Sequence, residues 1–280
     1  MAQGDLSRIR TNIAALNALN SLKSINNAIN VHQLRLATGK RLNSAADDPA
    51  GLTIAKKLDA RARSLSQALS NAQEAENVLS VAEGGANNIQ ELVVQMREKV
   101  VQAANDTLGS QERAAILTQL QELGAEIDQI VNTTSFNNIT LLTANVTLTF
   151  QVGAGSLDTL QFFTNPAGSQ AFNSAALSLN GLSVATQAGA SQSLLTIDNA
   201  LTTISNLLQN IGAKVQRLGV KEVSIQTNFT NTEAARSRIE DADIAQEQLQ
   251  ASKLLILQQT ATAMLAQANT QPQSILSLFR

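Results

Sequence analysis

Apolar residues recur at helical steps from the start of the chain. Leu6, Ile9, Ile13, Leu16, Leu19, Leu22, Ile25, Ile29 and Leu36 fall mostly three or four apart, with Asn30, Gln33 and Arg35 off that row. The spacing predicts an amphipathic helix from Leu6 to Leu36, roughly 45 Å long at about 1.5 Å per residue. The pattern breaks at Gly39 and again through the run from Asn43 to Gly51. Asp48 before Pro49 predicts a fresh helix start, a carboxylate cap followed by proline at the first helical position. Heptad spacing follows, with Leu58, Leu65, Ala72 and Leu79 in one row and Ala62 and Leu69 in the other. Gly84-Gly85 predicts an interruption, after which the stripe resumes at Ile89, Val93, Met96 and Val100. A shorter helix is expected with Ile116, Leu120, Leu123, Ile127 and Ile130 inward.

The middle changes period. Val146, Leu148, Phe150 and Val152 alternate with Thr147, Thr149 and Gln151, which is the period of a strand. Gly153-Ala154-Gly155 supplies a turn, Leu160 and Phe162 open a second strand, and a third element is expected around Asn180-Gly181. The steadiest heptads come next: Ile197, Ile204, Ile211, Leu218 and Ile225 in one row, and Leu201, Leu208, Val215 and Phe229 in the other, with Glu222 as the exception. Such a run argues for a coiled-coil or bundle helix. A terminal helix is expected from about Ser237, ended or kinked by Pro272, with Ile244, Ala251, Leu255, Leu265 and Ala268 on its faces.

The predicted fold is therefore mainly α with a small β insertion. Long antiparallel coiled-coil or bundle helices come from both chain ends, with a short β-hairpin region between. The expected division is 1–43 with 236–280 as paired terminal helices, 44–139 with 190–235 as a helical bundle, and 140–189 as a short β-rich outer region. Pairing the ends closes the whole chain as a loop, at an entropic cost that grows only slowly with length. A lone helix pair is marginal in water, so both ends are expected to order fully only on assembly.

Charge sharpens this picture. From Leu254 to Phe279 there is no charged residue, yet Gln258, Gln259, Gln267 and Asn269 argue against a membrane span. A charge-free amphipathic terminus is expected to pack against protein, including another copy of itself. The net charge of −2 offers no basic footprint for nucleic acid. With no Cys there is no disulfide, thiol nucleophile or zinc-thiolate site. The first residues lack an apolar h-region, which argues against an ordinary secretory signal.

Five segments in order carry a resemblance to the bacterial flagellins. They are the stretch from Thr11 to Ala55, including RLNSAADDPAG from Arg41 to Gly51; MREKVVQAANDT from Met96; SFNNITLL from Ser135; ARSRIEDADIAQE from Ala235; and AMLAQANTQPQSILSLF from Ala263. The stretch from about 140 to 189 carries no match. The resemblance implies a structural subunit that self-assembles into the helical filament of the flagellum for motility. In that family the terminal helices, disordered in the free subunit, pair to line the filament core. The implied partners are further copies of the chain, the flagellar export apparatus, an export chaperone that binds the C-terminus, the filament cap and the hook-junction proteins. The implied location is extracellular. A hook–filament junction protein, which shares the terminal helices, is the alternative reading. A membrane-active amphipathic helix protein fits less well, because its polar faces should be rich in Lys and Arg.

The expected subunit-packing residues are Leu6, Ile9, Ile13, Leu16, Leu22, Ile29 and Leu36, with Ile244, Leu255, Leu265, Ile275 and Leu278. No catalytic, metal or cofactor set emerges. The single His32 reads as a helix-packing residue and cannot form the HExxH motif that some flagellins carry, and Asp47-Asp48 reads as capping. Some flagellins are detected by Toll-like receptor 5 through the helix that here holds Arg97 and Glu98. The key arginine of recognised members aligns with Gln95 and a key glutamate with Gln119, so two charges are missing and weak or absent activation is expected. Sequons at Asn105, Asn132, Asn138, Asn145 and Asn228 are candidate glycosylation sites.

Overall fold

A computed structural model describes residues 11–143, 146–163 and 171–277. Five helices and four short strands follow in order: α1 Ile13–Thr38, α2 Pro49–Ala103, α3 Ser110–Thr133, β1 Ser135–Phe136, β2 Ile139–Thr140, β3 Thr147–Gln151, β4 Thr159–Phe163, α4 Gln187–Glu240 and α5 Ile244–Ser277. A 3-10 turn, Leu179–Gly181, precedes α4. The described residues divide into two compact units. One is drawn from Met1–Ala60 and Asn231–Arg280, the other is Arg61–Thr230.

The boundaries follow local chemistry. Asp48 caps α2 as expected, its Oδ1 accepting from the Ala50 and Gly51 backbones at 3.1 and 2.9 Å. Gly39 ends α1 at φ +70°, a left-handed conformation that favours glycine, and its N–H reaches the Arg35 carbonyl at 2.9 Å. Three expectations need correction. Gly84-Gly85 does not interrupt α2, which runs unbroken through both. A Cβ on Gly85 would sit 2.6 Å from Thr134 Oγ1 and 2.9 Å from Leu142 Cδ1, so this glycine serves a close approach and not a break. The terminal helix does not begin at Ser237; α4 holds its helix to Glu240 and α5 starts at Ile244. Nor does α5 end at Pro272, since its helix continues to Ser277.

In the unit of residues 61–230 the heptad rows become the core. Ile197, Ile204, Ile211, Leu218 and Ile225 of α4 are all buried. They face a stripe of α2 in which alanine is frequent (Ala72, Ala75, Ala82, Ala86) before larger residues such as Ile89 and Met96. Ile116, Leu120, Ile127 and Val131 of α3 join them. The hairpin β3–β4 is antiparallel, pairing Leu148 with Phe162 and Phe150 with Leu160, and it buries Phe162 in the same core. A second hairpin, β1–β2, was not foreseen. Its two-residue loop is Asn137-Asn138 at φ +47° and +64°, the double positive φ of a type I′ turn.

The buried cation Arg113 closes the turn between α2 and α3. Its guanidinium donates to the carbonyls of Ala103 at 2.5 Å, Asn105 at 3.0 Å and Leu108 at 3.3 Å, serving the otherwise orphaned end of α2.

The exception in the heptads is structural as well. One buried cluster ends at Ala72 and Leu218, and a second, smaller one gathers Leu65, Ala68 and Ile225. Glu222 sits in sequence between Leu218 and Ile225. Its Oε1 is buried without a hydrogen-bond partner. Burial first, and the neighbouring Glu76 carboxylate second, push its carboxyl above the usual range. A folded-state value above the unfolded one contributes stability only at low pH, and that contribution is lost as pH rises through the folded value. Glu222→Gln is therefore expected to raise the melting temperature near neutral pH by about 2–4 °C, and to flatten its decline as pH rises above 4.5. Circular dichroism melts of both chains across pH 4 to 8 check this, and an unchanged melting temperature would contradict it.

Candidate assembly surface

The terminal unit is built on α1 and α5, which run antiparallel. A polar contact recurs along the pair. Asn12 Nδ2 donates to the Ala268 carbonyl at 2.7 Å, and Gln258 Nε2 donates to Asn26 Oδ1 at 2.7 Å. His32 Nδ1 and Arg35 Nη1 both meet the Glu247 carboxylate, the arginine at 3.4 Å. As the number rises on α1 it falls in step on α5, so one register runs the length of the described pair.

Beyond the last of these contacts the chain locks itself. Lys40 and Asp241 form an antiparallel bridge. The Arg41 N–H donates to the Glu240 carbonyl at 2.7 Å and the Ala242 N–H to the Gly39 carbonyl at 3.0 Å. Arg41 Nη2 adds a bond to the Ile239 carbonyl at 2.7 Å. Glu240, 4% exposed, lies between two cations: Lys40 Nζ donates to its Oε1 at 2.5 Å and Arg236 Nη1 to its Oε2 at 2.9 Å. Arg236 also holds Glu233 at 2.7 Å. The Lys40 hydrogen bond foremost, then Arg236, holds the Glu240 carboxyl below the usual range, while Arg236 itself is pushed up by Glu233 and Glu240. Nearby, backbone hydrogen bonds from Ser44 and Asn43 hold the Asp47 carboxyl down. This junction escaped sequence reasoning, although Glu233, Arg236 and Glu240 at steps of three and four were a visible signal.

Pairing leaves much of the helix surface apolar. Of the expected packing residues, Ile29 is buried, Leu22, Leu36 and Leu265 are half-buried, and Ile13, Leu16, Ile244 and Leu255 are exposed. Leu6, Ile9 and Leu278 lie outside the described residues, as does the Ile275 side chain. Further large apolar groups stand in water, among them Leu34 on α1 and Leu249, Ile256, Leu257 and Met264 on α5, the last 65% exposed. No described helix is long and apolar enough to cross a membrane.

In the other unit, Gln95, Glu98 and Gln119 line one open groove between α2 and α3. Arg97 does not join them; its Nε pairs with Asp198 of α4 at 2.8 Å. Of the candidate glycosylation sites, Asn132 and Asn228 are exposed on helices, Asn105 lies in the α2–α3 turn and Asn138 in the β1–β2 loop. Asn145 lies outside the described residues.

At the junction the sign follows from the lowered carboxyl of Glu240. Its stabilisation is present above the ordinary glutamate value of 4.5 and is lost as pH falls through the lower folded value. Glu240→Gln is expected to cost about 1.5–3 kcal/mol at neutral pH, the range for hydrogen bonds to charged groups. It should also weaken the acid-induced loss seen in the parent. Urea unfolding at pH 7 and pH 3.5 reads both.

Comparison with known proteins bears on what these surfaces are for. Residues 9–147 match the model of the bacterial flagellin N-terminal helical region, and residues 194–279 that of the bacterial flagellin C-terminal helical region. The flagellin of Bacillus subtilis is 35% identical over 98% of this chain and 100% of its own length. That of Halalkalibacterium halodurans is 34% identical over 97% and 99%. Flagellin FlaB1 of Treponema pallidum is 32% identical over 97% and 99%. A solved putative flagellar hook-associated protein from Vibrio parahaemolyticus shares the fold at 18% identity, with a TM-score of 0.58 over 70% of this chain and all of that one.

Proposed function

The chain belongs to the bacterial flagellin family, and on that premise we propose how it builds the flagellar filament of which it is a structural subunit. The observation that carries the proposal is the apolar surface left on α1 and α5 after they have paired. Full burial of an exposed Leu or Met is worth about 1.5–3 kcal/mol, and Leu16, Leu255 and Met264, 53%, 43% and 65% exposed, have roughly half of that still to gain. Within one subunit nothing described covers these groups, so the gain comes from neighbouring copies. It offsets the roughly 1–2 kcal/mol per residue of backbone ordering that an isolated helix pair meets poorly. Folding of the ends and assembly are therefore one event. Contacts between different faces of successive copies give a ring where the rotation closes and an open helix where it does not, and a filament takes the second form.

On this reading residues 1–43 and 236–280 line the filament core, 44–139 with 190–235 form the surrounding layer, and 140–189 point outward. The packing residues are Leu6, Ile9, Ile13, Leu16, Leu22, Ile29, Leu36, Ile244, Leu255, Leu265, Ile275 and Leu278. The chain works in the extracellular flagellum as a structural and not a catalytic protein. It reaches that place through the flagellar export apparatus with a chaperone on its C-terminus, and meets the filament cap and the hook-junction proteins there. The groove holds Glu98 and other charged residues, but with glutamine at positions 95 and 119 it lacks the two charges of recognised members, and so offers weak or no contact to Toll-like receptor 5.

Leu265→Asp is expected to leave export intact and abolish polymerisation. Purified chain seeded with short filament fragments and viewed by negative-stain electron microscopy checks this; long filaments from the variant would refute the packing role. For the receptor, a reporter-cell assay is expected to give little activation, and full activation at ordinary flagellin doses would contradict the groove reading.

A further inference from the structure

Pro272 stands inside α5, where it cannot donate a backbone hydrogen bond. In an α-helix that missing bond would have gone to the carbonyl four residues earlier, which belongs to Ala268. This is the carbonyl that Asn12 Nδ2 reaches at 2.7 Å. The other atom of the same amide is engaged too: Asn12 Oδ1 accepts from the Ala15 N–H at 2.9 Å and caps α1. The two partners fix the amide's orientation, since only its oxygen can accept from an N–H and only its nitrogen can donate to a carbonyl.

We propose that Asn12 is the register-determining residue at the distal end of the α1–α5 pair, reading the acceptor that Pro272 leaves vacant. The junction at Lys40 and Asp241 and the contacts of Arg35, His32 and Asn26 set the register toward one end, but even Asn26 lies roughly 20 Å along α1 from Asn12. The apolar rows do not choose between registers there, because they repeat every three or four residues and survive a shift of one turn. The vacant acceptor does choose. A one-turn shift toward the junction would bring the Asn12 amide to Met264, whose carbonyl has the Ala268 N–H as its helical donor. It would also leave the Ala268 carbonyl unserved. A single polar residue that satisfies its partner in one alignment alone is a known way to specify helix register.

The inference rests on the filament-subunit reading and is tested separately from it. Asn12→Asp keeps the capping oxygen and the side-chain shape but removes the donor. Pro272→Ala restores the helical N–H to the Ala268 carbonyl and makes Asn12 redundant. The experiment is seeded polymerisation of the full chain in four forms: parent, Asn12→Asp, Pro272→Ala and the double variant. Asn12→Asp alone is expected to raise the critical concentration about tenfold, as loss of one part-buried hydrogen bond together with a carboxylate set against a carbonyl implies. The double variant is expected to stay within about twofold of Pro272→Ala. A parent-like Asn12→Asp, or an equal loss in both backgrounds, overturns the proposal. A parent that fails to polymerise instead sinks the filament reading itself. An independent readout uses the absence of native cysteine. With Asn26→Cys and Gln258→Cys added, the disulfide yield should fall at least twofold with Asn12→Asp and recover in the double variant; equal yields in all four forms would also overturn it.

Discussion

Two helices from opposite ends of the chain carry one antiparallel pairing, and the terminal unit is arranged to make that pairing specific without making it self-sufficient. Specificity comes from polar groups. Asn12, Asn26, His32 and Arg35 each find a named partner on α5, and the Lys40–Glu240–Arg236 cluster fastens the two turns together. Insufficiency comes from the apolar groups. A helix pair that buried its leucines internally would be stable alone and would have nothing left to offer a neighbour. Here the polar contacts set geometry at modest net energy, and much of the apolar surface of both helices stays exposed within the single chain, the surface that the proposed assembly would cover.

The unit of residues 61–230 solves the opposite problem. The row from Ile197 to Ile225 is buried and the row from Leu201 to Phe229 half-buried, the alanine stripe of α2 lies in the same core, and Arg113 and the two hairpins close the turns. This is a conventional core, one buried cluster that draws on α2, α3, α4 and the β3–β4 hairpin. One chain thus holds a unit with a large buried core and a terminal unit whose helices bury little within the chain, and both leave large apolar groups exposed, Val220 and Val223 of α4 among them.

Much of this was legible in the sequence, because the information was periodic. The row from Ile197 to Ile225 is written every seventh residue and is buried at every step. The alternation from Val146 to Val152 became a strand, and Asp48-Pro49 opened a helix. What could not be read was aperiodic or long-range. Gly84-Gly85 looks like a break on propensity alone; only the approach of Thr134 and Leu142 explains Gly85 inside a helix. The β1–β2 hairpin is too short to show a strand period, and its signal was the Asn137-Asn138 pair. Pro272 reads as an end or a kink of the helix because the donor that reaches the Ala268 carbonyl, Asn12, lies at the other terminus. The α4–α5 boundary was missed because Ser237 to Glu240 keep helical character up to the junction.

The divided core around Glu222 has a mechanical side. A continuous apolar seam resists sliding, since any displacement must unpack and repack interlocked side chains. At Glu222 that interlocking is replaced by a carboxylate facing another carboxylate, Glu76. Between the cluster that ends at Ala72 and Leu218 and the one that gathers Leu65, Ala68 and Ile225, interlocking is thinnest, and that is where α2 and α4 resist sliding least.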